Sequence, residues 1–296
     1  MFMNKVLLTG IDGFTGKYVA EELVNKGYEV IGLVYANAID NQVACDLTDR
    51  QAVFDCLEQV KPDYIVHLAA ISFVGHSDQT AFYDVNVFGA LNLLEAAKEL
   101  QLPLKKVILA SSANIYGNPD IAGKIDESAS PSPVNHYAMS KLSMEYMAKL
   151  WFDTFPIVIS RPFNYTGPGQ ADNFLIPKIV SHFKKGSTTI ELGNIDVARD
   201  FSDVRDISKA YVCLLESSVG SEIVNLCSGN VITLEEIIAK TEKIAGYKIN
   251  VKVNPDFVRE NEIKVLGGDN TKLKLLTGFT PSISLDKTLF DMYHEK

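Results

Sequence analysis

The sequence predicts an α/β fold in which a doubly wound parallel sheet is followed by a smaller, mixed α/β domain. Three observations lead to this prediction. Short runs of Val, Ile and Leu alternate with longer amphipathic stretches over the first 165 residues, as in strands covered by helices on both faces. A glycine-rich loop joins the first apolar run to the first helical stretch. The pattern changes to shorter elements after Asn164.

The first part of the chain supplies five predicted strands and the helices between them. The strands are compact apolar runs at residues 5–9, 29–35, 64–69, 106–110 and 156–160. The helical patterns occupy residues 15–26, 49–60, 83–100 and 136–155. Alternation of strand and helix at this spacing indicates right-handed crossovers, and therefore a parallel sheet.

A smaller domain is predicted beyond the break at Gly167-Pro168-Gly169, with helices near residues 176–185 and 234–245. We therefore divide the chain into a first domain of residues 1–163 with about 201–228, and a second domain of residues 164–200 and 229–296. Ligands of such sheets bind in the crevice beyond the carboxyl ends of the strands, where the second domain would lie.

Composition and charge argue against several classes of function. The chain has 296 residues and a net charge of −9, with a pI near 5.1, which disfavours nucleic acid or an anionic membrane surface as a partner. There is no signal-peptide pattern and no apolar run long enough to cross a membrane. The four widely spaced cysteines favour a reducing, cytoplasmic setting. The five histidines lack metal-ligand spacing, so no metal site is expected.

The glycine-rich loop runs from Gly10 through Gly13 to Gly16, directly after the first predicted strand. Gly10 allows the tight turn, Gly13 allows a pyrophosphate to approach the backbone, and Gly16 allows close packing of helix and strand. The amino terminus of the helix then faces the anion. An ordinary glycine-rich turn is the alternative, but the order of strand, loop and helix favours a Rossmann-type dinucleotide site.

The choice between NADH and NADPH stays open. An acidic residue at the end of the second strand would bind the ribose 2′-hydroxyl, and an arginine would bind a 2′-phosphate. That strand ends at Val34-Tyr35 and offers neither. Asp46 could reach the adenine amino group. Its alternative role is a helix cap, which Thr48 or Asp49 could equally supply.

A tyrosine and a lysine form the candidate catalytic group. Tyr137 and Lys141 lie four residues apart, on one face of a predicted helix. A free phenol has a pKa of about 10, and a nearby ammonium lowers that pKa toward the range useful for acid–base work. Such pairs also occur by chance on helix surfaces. Here, however, Ser111 and Ser112 end the strand at residues 106–110, where a hydroxyl can stabilise the oxygen that gains charge during hydride transfer.

Taken in this order, these motifs resemble the extended short-chain dehydrogenase/reductase family over essentially the whole chain. The segments similar to the superfamily are residues 10–16, 67–70, 86–89, 111–117 and 137–141. Further segments resemble its GDP-4-keto-6-deoxy-D-mannose reductases, and these are residues 161–170, 193–201 with 203–206, and 225–229.

The resemblance implies roles for particular residues, beginning with Ser112, Tyr137 and Lys141 as the catalytic group. The implied cofactor contacts are Gly10, Gly13, Phe14, Thr15, Gly16, Tyr35, Asp46, Leu47, Leu68, Ala69, Ala70, Asn86, Tyr137, Lys141 and Pro162. The implied substrate contacts are Ser72, Ser112, Asn114, Asn164, Arg199 and Arg259. Arg199 would face the diphosphate through its planar fork of donors, and a surface salt bridge is the alternative for each arginine.

The implied activity is reduction of the C4 keto group of a nucleotide-linked 4-keto-6-deoxy sugar by NADPH or NADH. A GDP-linked substrate is favoured, with GDP-4-keto-6-deoxy-D-mannose giving GDP-D-rhamnose or its C4 epimer GDP-6-deoxy-D-talose. The alternatives are an NAD-dependent nucleotide-sugar 4-epimerase and a non-catalytic NAD(P)-binding regulator. A 4,6-dehydratase is less favoured, because elimination needs an acid and a base beside the serine, where Ala113 and Asn114 stand.

A homodimer is also expected. The helix predicted at residues 83–100 is apolar on more than one face, which suits burial between the sheet and a second subunit. The apolar residues are Val85, Val87, Phe88, Leu91, Leu93 and Leu94. Burial within one subunit is the alternative, but relatives commonly dimerise through the corresponding helices.

Overall fold

A sheet of seven parallel strands forms the frame of this computed structural model, which describes residues 3–72, 77–118, 123–258 and 262–295. The strands are β1 (Lys5–Thr9), β2 (Glu29–Val34), β3 (Gln42–Ala44), β4 (Tyr64–His67), β5 (Lys106–Ala110), β6 (Ile157–Pro162) and β10 (Glu222–Leu226). Their order across the sheet is β10-β6-β5-β4-β1-β2-β3. The direction of winding reverses between β1 and β4, and ligands of such sheets bind at this switch point.

Helices cover both faces of the sheet. They are α1 (Phe14–Asn25), α2 (Arg50–Val60), α4 (Gly89–Glu99), α5 (His136–Lys149) and α7 (Val204–Glu216). Leu7 of β1 faces a core shared with α2, α4 and α5, whereas its neighbours Val6 and Leu8 face a core shared with α1 and α7. Because successive strand residues point to opposite faces, Val6, Leu7 and Leu8 are each buried in one core or the other, which explains the apolar run in the middle of β1.

The remaining elements form a smaller mixed α/β region. Its strands are β7 (Asn164–Thr166), β8 (Thr189–Leu192), β9 (Ala198–Asp203), β11 (Val231–Thr233), β12 (Asn250–Val253) and β13 (Val265–Leu266). Strand β9 pairs in parallel with β7 and β13 and antiparallel with β11, while β8 pairs with β12. The helices are α6 (Leu175–Lys184), α8 (Leu234–Ala245) and α10 (Leu285–His294), whereas α9 (Thr271–Thr277) packs through Leu273 into the core shared by the main sheet, α1 and α7. The predicted fold class is therefore confirmed.

Several predicted boundaries were wrong. The second and third predicted strands extend too far, because β2 ends at Val34 and β4 at His67. The fifth begins and ends later than predicted, and the helix predicted at residues 136–155 ends at Lys149. The helix predicted at residues 83–100 is divided into α3 (Thr80–Tyr83), a π-helical turn (Asp84–Phe88) and α4.

Two strands of the main sheet have only a weak signature in the sequence. Strand β3 has three residues, and β10 follows α7 far along the chain, inside the segment 201–228 that we assigned to the first domain. The division into two domains stays a prediction. Within the described ranges, no helix is both long and apolar enough to traverse a lipid bilayer. All four cysteines are free thiols.

Candidate active site

The glycine-rich loop is a cradle that side chains would block. Gly10 has a positive φ of 70°, and a Cβ on it would lie 2.9 Å from the amide nitrogen of Ala69. A Cβ on Gly16 would lie 2.0 Å from the carbonyl oxygen of Gly10. Gly13 is the N-cap residue of α1 and has no side chain to occupy the first N–H groups of the helix. These donors can therefore receive an anion.

A buried polar chain supports this cradle from below. The amide of Ala69 donates to the Thr9 hydroxyl at 3.0 Å, and that hydroxyl lies 2.8 Å from Nδ1 of His67. Burial, together with the positive charge of Lys141, lowers the pKa of His67 to about 3. The ring is therefore neutral at physiological pH, and its Nδ1 shares a hydrogen bond with the Thr9 hydroxyl whose direction follows from the tautomer. Sequence reasoning placed residue 67 in a family segment but gave it no role.

The predicted adenine end of the cofactor site includes Tyr35, Asp46 and Leu47. Tyr35 follows β2 and is 77% exposed, whereas Leu47 is buried. Asp49, not Asp46, caps α2 by accepting the first free N–H groups of that helix. The carboxylate of Asp46 instead accepts the amide and hydroxyl of Thr48, at 2.9 and 2.8 Å. The predicted contact of Asp46 with adenine stays a prediction.

The three proposed catalytic side chains converge at the carboxyl end of β5. Helix α5 starts at His136 because the side chain of Asn135 accepts the amide of Ala138, and this places Tyr137 and Lys141 on its inner face. Tyr137 is 9% exposed and Lys141 is 3% exposed. The hydroxyl of Ser112, which follows β5, lies close enough to the phenol of Tyr137 to affect its pKa. The structure thus joins residues separated by 25 positions.

The electrostatics of this group differ from the sequence expectation. Burial raises the pKa of the Tyr137 phenol to about 12, while the nearby hydroxyl of Ser112 opposes the rise. Burial also lowers the pKa of Lys141 to about 8, against the opposing charge of Glu145. We expected Lys141 to lower the phenol pKa. That expectation was wrong for this structure, because the ammonium donates to the carbonyl of Ala110 at 2.7 Å and burial dominates.

A cleft of about 1140 Å³ lies between the end of the main sheet and the smaller region. Four predicted substrate contacts line it, namely Ser72, Asn114, Asn164 and Arg199. Arg199 is buried, and one of its Nη atoms pairs with Glu262 at 2.6 Å. Its other Nη atom donates to the carbonyls of Ala198 and Lys264. Arg259 lies outside the described residues.

Cationic and aromatic side chains that we did not predict also line the cleft. They include Lys178, His182, Lys185 and Phe257, and Nζ of Lys178 lies 4.5 Å from the centre of the Phe257 ring. Helix α6 carries two of these residues. In the sequence, basic residues recur about once per turn along the helix predicted after the break at Gly167. This spacing could have identified them as cleft residues, but it is a weak signal.

The other predicted cofactor contacts occupy varied positions. Leu68, Ala69, Ala70 and Pro162 are half-buried at the ends of β4 and β6. Thr15 bonds the hydroxyl of Tyr165 at 2.8 Å, and Phe14 stacks on the same ring.

Asn86 is fully buried in the π-helical turn. Its amide pairs with the backbone of Ile71 and with Ser140 of α5. A direct contact of Asn86 with a cofactor stays a prediction. Within the described ranges, no cluster of three or more His, Cys, Asp or Glu side chains could hold a metal ion.

A seven-strand sheet with a glycine cradle at its switch point, beside a buried Ser/Tyr/Lys group, defines an extended short-chain dehydrogenase/reductase. The chain belongs to the GDP-mannose 4,6-dehydratase family, whose model matches residues 7–292. It is therefore an enzyme of the NAD(P)-dependent class that modifies nucleotide sugars.

Two curated relatives act on GDP-6-deoxy sugars. The chain is 38% identical over 275 residues to GDP-6-deoxy-D-talose 4-dehydrogenase from Aggregatibacter actinomycetemcomitans, covering 93% of this chain and 91% of the relative. It is 30% identical to GDP-6-deoxy-D-mannose reductase (RMD) from Pseudomonas aeruginosa, covering 97% and 95%. The structure of RMD from that species, complexed with NADPH, superposes with a TM-score of 0.87 over 98% of both chains.

Solved structures of epimerases are also similar. A candidate epimerase from Burkholderia cenocepacia J2315 is 45% identical, with a TM-score of 0.91 over 98% of this chain and 97% of the other. UDP-glucose 4-epimerase from Thermus thermophilus, in complex with NAD, is 25% identical, with a TM-score of 0.88 over 98% and 99%. Relatives of this chain therefore bind NADPH or NAD.

Proposed function

We propose that the protein reduces the C4 keto group of a nucleotide-linked 4-keto-6-deoxy sugar with NADPH or NADH. The substrate favoured is GDP-4-keto-6-deoxy-D-mannose, with GDP-D-rhamnose or its C4 epimer GDP-6-deoxy-D-talose as the product. The observation that carries this proposal is the convergence of the buried Ser112, Tyr137 and Lys141 side chains at the carboxyl end of β5, two residues before Asn114, which lines the cleft together with Asn164 and Arg199. The names of the relatives at 38% and 30% identity agree with it.

In this proposal, the residues of the chain orient the carbonyl and supply a proton. The glycine cradle and the side chains at the strand ends would hold the dinucleotide, whose nicotinamide supplies the hydride when it is bound. Tyr137, with a pKa raised to about 12, is protonated at neutral pH and can donate its proton to the oxygen formed at C4. Ser112 donates a hydrogen bond to the same oxygen as its charge develops. The ammonium of Lys141, one helical turn away, would counter the charge of the phenolate left behind, although burial outweighs it in the resting phenol.

The cleft would bind the nucleotide part of the substrate. Arg199 lines the cleft, and in this proposal its fork would bind the diphosphate in competition with Glu262. Lys178 and Lys185 add positive charge along the same wall, and Phe257 offers an aromatic surface to a base. These groups favour an anionic, nucleoside-containing ligand over a simple sugar.

Elimination of water, as in a dehydratase, is not favoured by the residues beside Ser112. Ala113 is buried and has no acid–base group, and Asn114, which faces the cleft, cannot titrate. A 4-epimerase remains the second candidate, because the same catalytic group serves both reactions and the Burkholderia relative is 45% identical. A non-catalytic regulator is the third, but it would not need a buried Ser/Tyr/Lys group.

A homodimer in the cytoplasm is part of the proposal. Of the apolar residues on the predicted helix, Leu93 and Leu94 are buried in the core of their own subunit, whereas Phe88 is exposed. Tyr146 and Leu150 of the α5 region are exposed as well, and such side chains suit a contact with a second subunit. Sedimentation at micromolar concentration should show a dimer, and a monomer there would contradict this part.

A substrate panel tests the proposed function. Purified protein is incubated with 4-keto-6-deoxy sugars linked to GDP, UDP and dTDP, each with NADPH and with NADH, and the configuration of the product at C4 is determined. Consumption of added NADPH or NADH with the GDP-linked sugar is the expected result. Tightly bound NAD, with interconversion of 4-hydroxy sugars and no need for added cofactor, would instead establish an epimerase.

A further inference from the structure

A buried ion pair lies directly behind the catalytic group. Glu145 of α5 and Arg161 of β6 have side chains that are 1% and 3% exposed. Nε of Arg161 donates to one carboxylate oxygen of Glu145 at 2.9 Å, and an Nη atom donates to the other at 2.6 Å. This two-point geometry fixes the relative orientation of the helix and the strand.

The pair extends into a network that reaches the end of β5. The hydroxyl of Ser111 donates to Glu145 at 2.5 Å. Arg161 also donates to the hydroxyl of Tyr116 at 2.8 Å, and that hydroxyl donates to the side chain of Asn225 on β10. The segment from Ser111 to Tyr116, which includes Ser112, is therefore held at both ends by the ion pair.

The same carboxylate lies one helical turn beyond Lys141, so the pair touches both segments that carry the catalytic group. We propose that Glu145 and Arg161 are positioning residues, which hold Ser112 and Lys141 at fixed places relative to Tyr137 so that hydride transfer and proton transfer occur in one geometry. This inference rests on the proposed function for its reaction, although the network itself does not.

Stability alone is a poor reason for such a pair. Removing two charges from water is costly, and well-packed apolar residues of similar volume are often as stable or more so. A fully hydrogen-bonded ionic network, unlike an apolar core, holds its side chains in a single arrangement. Here that geometry is transmitted to Ser112 through the adjacent Ser111 and to Lys141 through one turn of α5.

The pair also affects the charge on Lys141. The groups that interact with this ammonium are Glu145 on α5, His67 on β4 and the Ala110 carbonyl at the end of β5, with Arg161 behind Glu145. His67 is neutral, so the carboxylate of Glu145 is the charge that raises the pKa of Lys141 against burial. Without that carboxylate, Lys141 would therefore lose its proton at a lower pH.

The test compares variants of the full-length protein by turnover of the nucleotide sugar, pH profile and unfolding. Glu145→Gln keeps the shape but removes the charge. Ser111→Ala cuts only the link to the Ser112 segment. The double variant Glu145→Met/Arg161→Met replaces the whole pair by apolar side chains. Lys106→Met is the matched control, because Lys106 is equally buried on β5 but donates to Leu214 and Ser217 at the opposite end of that strand.

We expect Glu145→Gln to lower kcat about 10- to 100-fold, the range that misplacement by an ångström can cause. Its KM should change little, and the high-pH limb of its kcat profile should move down by about one pH unit. Ser111→Ala should lower kcat with little change in the unfolding midpoint. Lys106→Met should lose stability but keep the kcat and pH profile of the unmodified protein.

The double variant separates positioning from stability. Recovery of the unfolding midpoint while kcat stays at least about tenfold low supports positioning. Recovery of both the unfolding midpoint and kcat in the double variant would overturn the proposal. So would a Glu145→Gln variant whose kcat and pH profile equal those of Lys106→Met. If the unmodified protein turns over none of the sugars, the proposed function fails, but amide exchange still tests the inference. The backbone amide hydrogens of residues 111–117 should exchange faster in Ser111→Ala but not in Lys106→Met. Equal exchange rates in the two variants would show that the network does not hold this segment.

Discussion

The cofactor cradle and the substrate cleft are built in opposite ways. In the cradle the important groups are backbone atoms, and Gly10 and Gly16 matter because they lack side chains. In the cleft the important groups are charged side chains already engaged with one another, as Arg199 is with Glu262, which is 63 residues away. A backbone site is specified locally, whereas a side-chain site depends on partners that the fold brings together.

The largest effect is expected where the two regions meet. Tyr137→Phe removes the proton donor while keeping the ring, so kcat should fall about 10²- to 10⁴-fold. Binding of NADPH, followed by quenching of its fluorescence, should stay close to that of the unmodified protein, because the cradle is intact. Near-normal turnover would remove Tyr137 from the mechanism. Tyr146→Phe, an exposed tyrosine on the same helix, is the control.

Adding a single methyl group to the glycine-rich loop should weaken binding of the cofactor. In Gly16→Ala the new Cβ would overlap the Gly10 carbonyl, so the loop must shift, which costs about 1–3 kcal/mol. We expect weaker NADPH binding, by up to about 100-fold at the upper end of that range. Gly27→Ala, beyond the other end of α1, meets open space and is strained only by its positive φ. Equal NADPH affinity in the two variants would argue against the cradle.

Removing a positive charge from the cleft should weaken substrate binding and leave cofactor binding unaffected. Arg199→Met removes a buried fork, and we expect KM for the nucleotide sugar to rise about 10- to 100-fold, the range for a hydrogen bond to a charged group. NADPH affinity should not change. Arg205, which pairs with Asp203 and Asp291, is not among the residues that line the cleft. Arg205→Met should therefore reduce stability without this rise in KM.

The smallest effect concerns the support beneath the cradle. The pKa of His67 is lowered to about 3, below its value of 6.5 in the unfolded chain. Between these values the unfolded state binds the extra proton, so the stability from neutral His67 is present above pH 6.5 and is lost as the pH falls. From pH 7.5 to 5.5 this loss is about 1.4 kcal/mol. Urea unfolding should show it in the unmodified protein and in His136→Asn, but not in His67→Asn.

The sequence by itself determined the frame and indicated which side chains converge at the carboxyl end of β5. Apolar runs with the period of strands, a glycine loop in the right place and a Tyr/Lys pair four residues apart act over short stretches of chain, so their meaning does not depend on distant partners. That is why the fold class was predicted correctly and why Ser112, Tyr137 and Lys141 meet in space.

Only the tertiary structure decided the charges and the exact ends of elements. Burial, not the neighbouring ammonium, controls the pKa of Tyr137, and burial is a property of the packed molecule. The π-helical turn that directs Asn86 at Ser140, and the pairing of Glu145 with Arg161, likewise depend on contacts between distant segments. Such contacts have no local signature, because the desolvation and geometry that govern them exist only after the chain has folded.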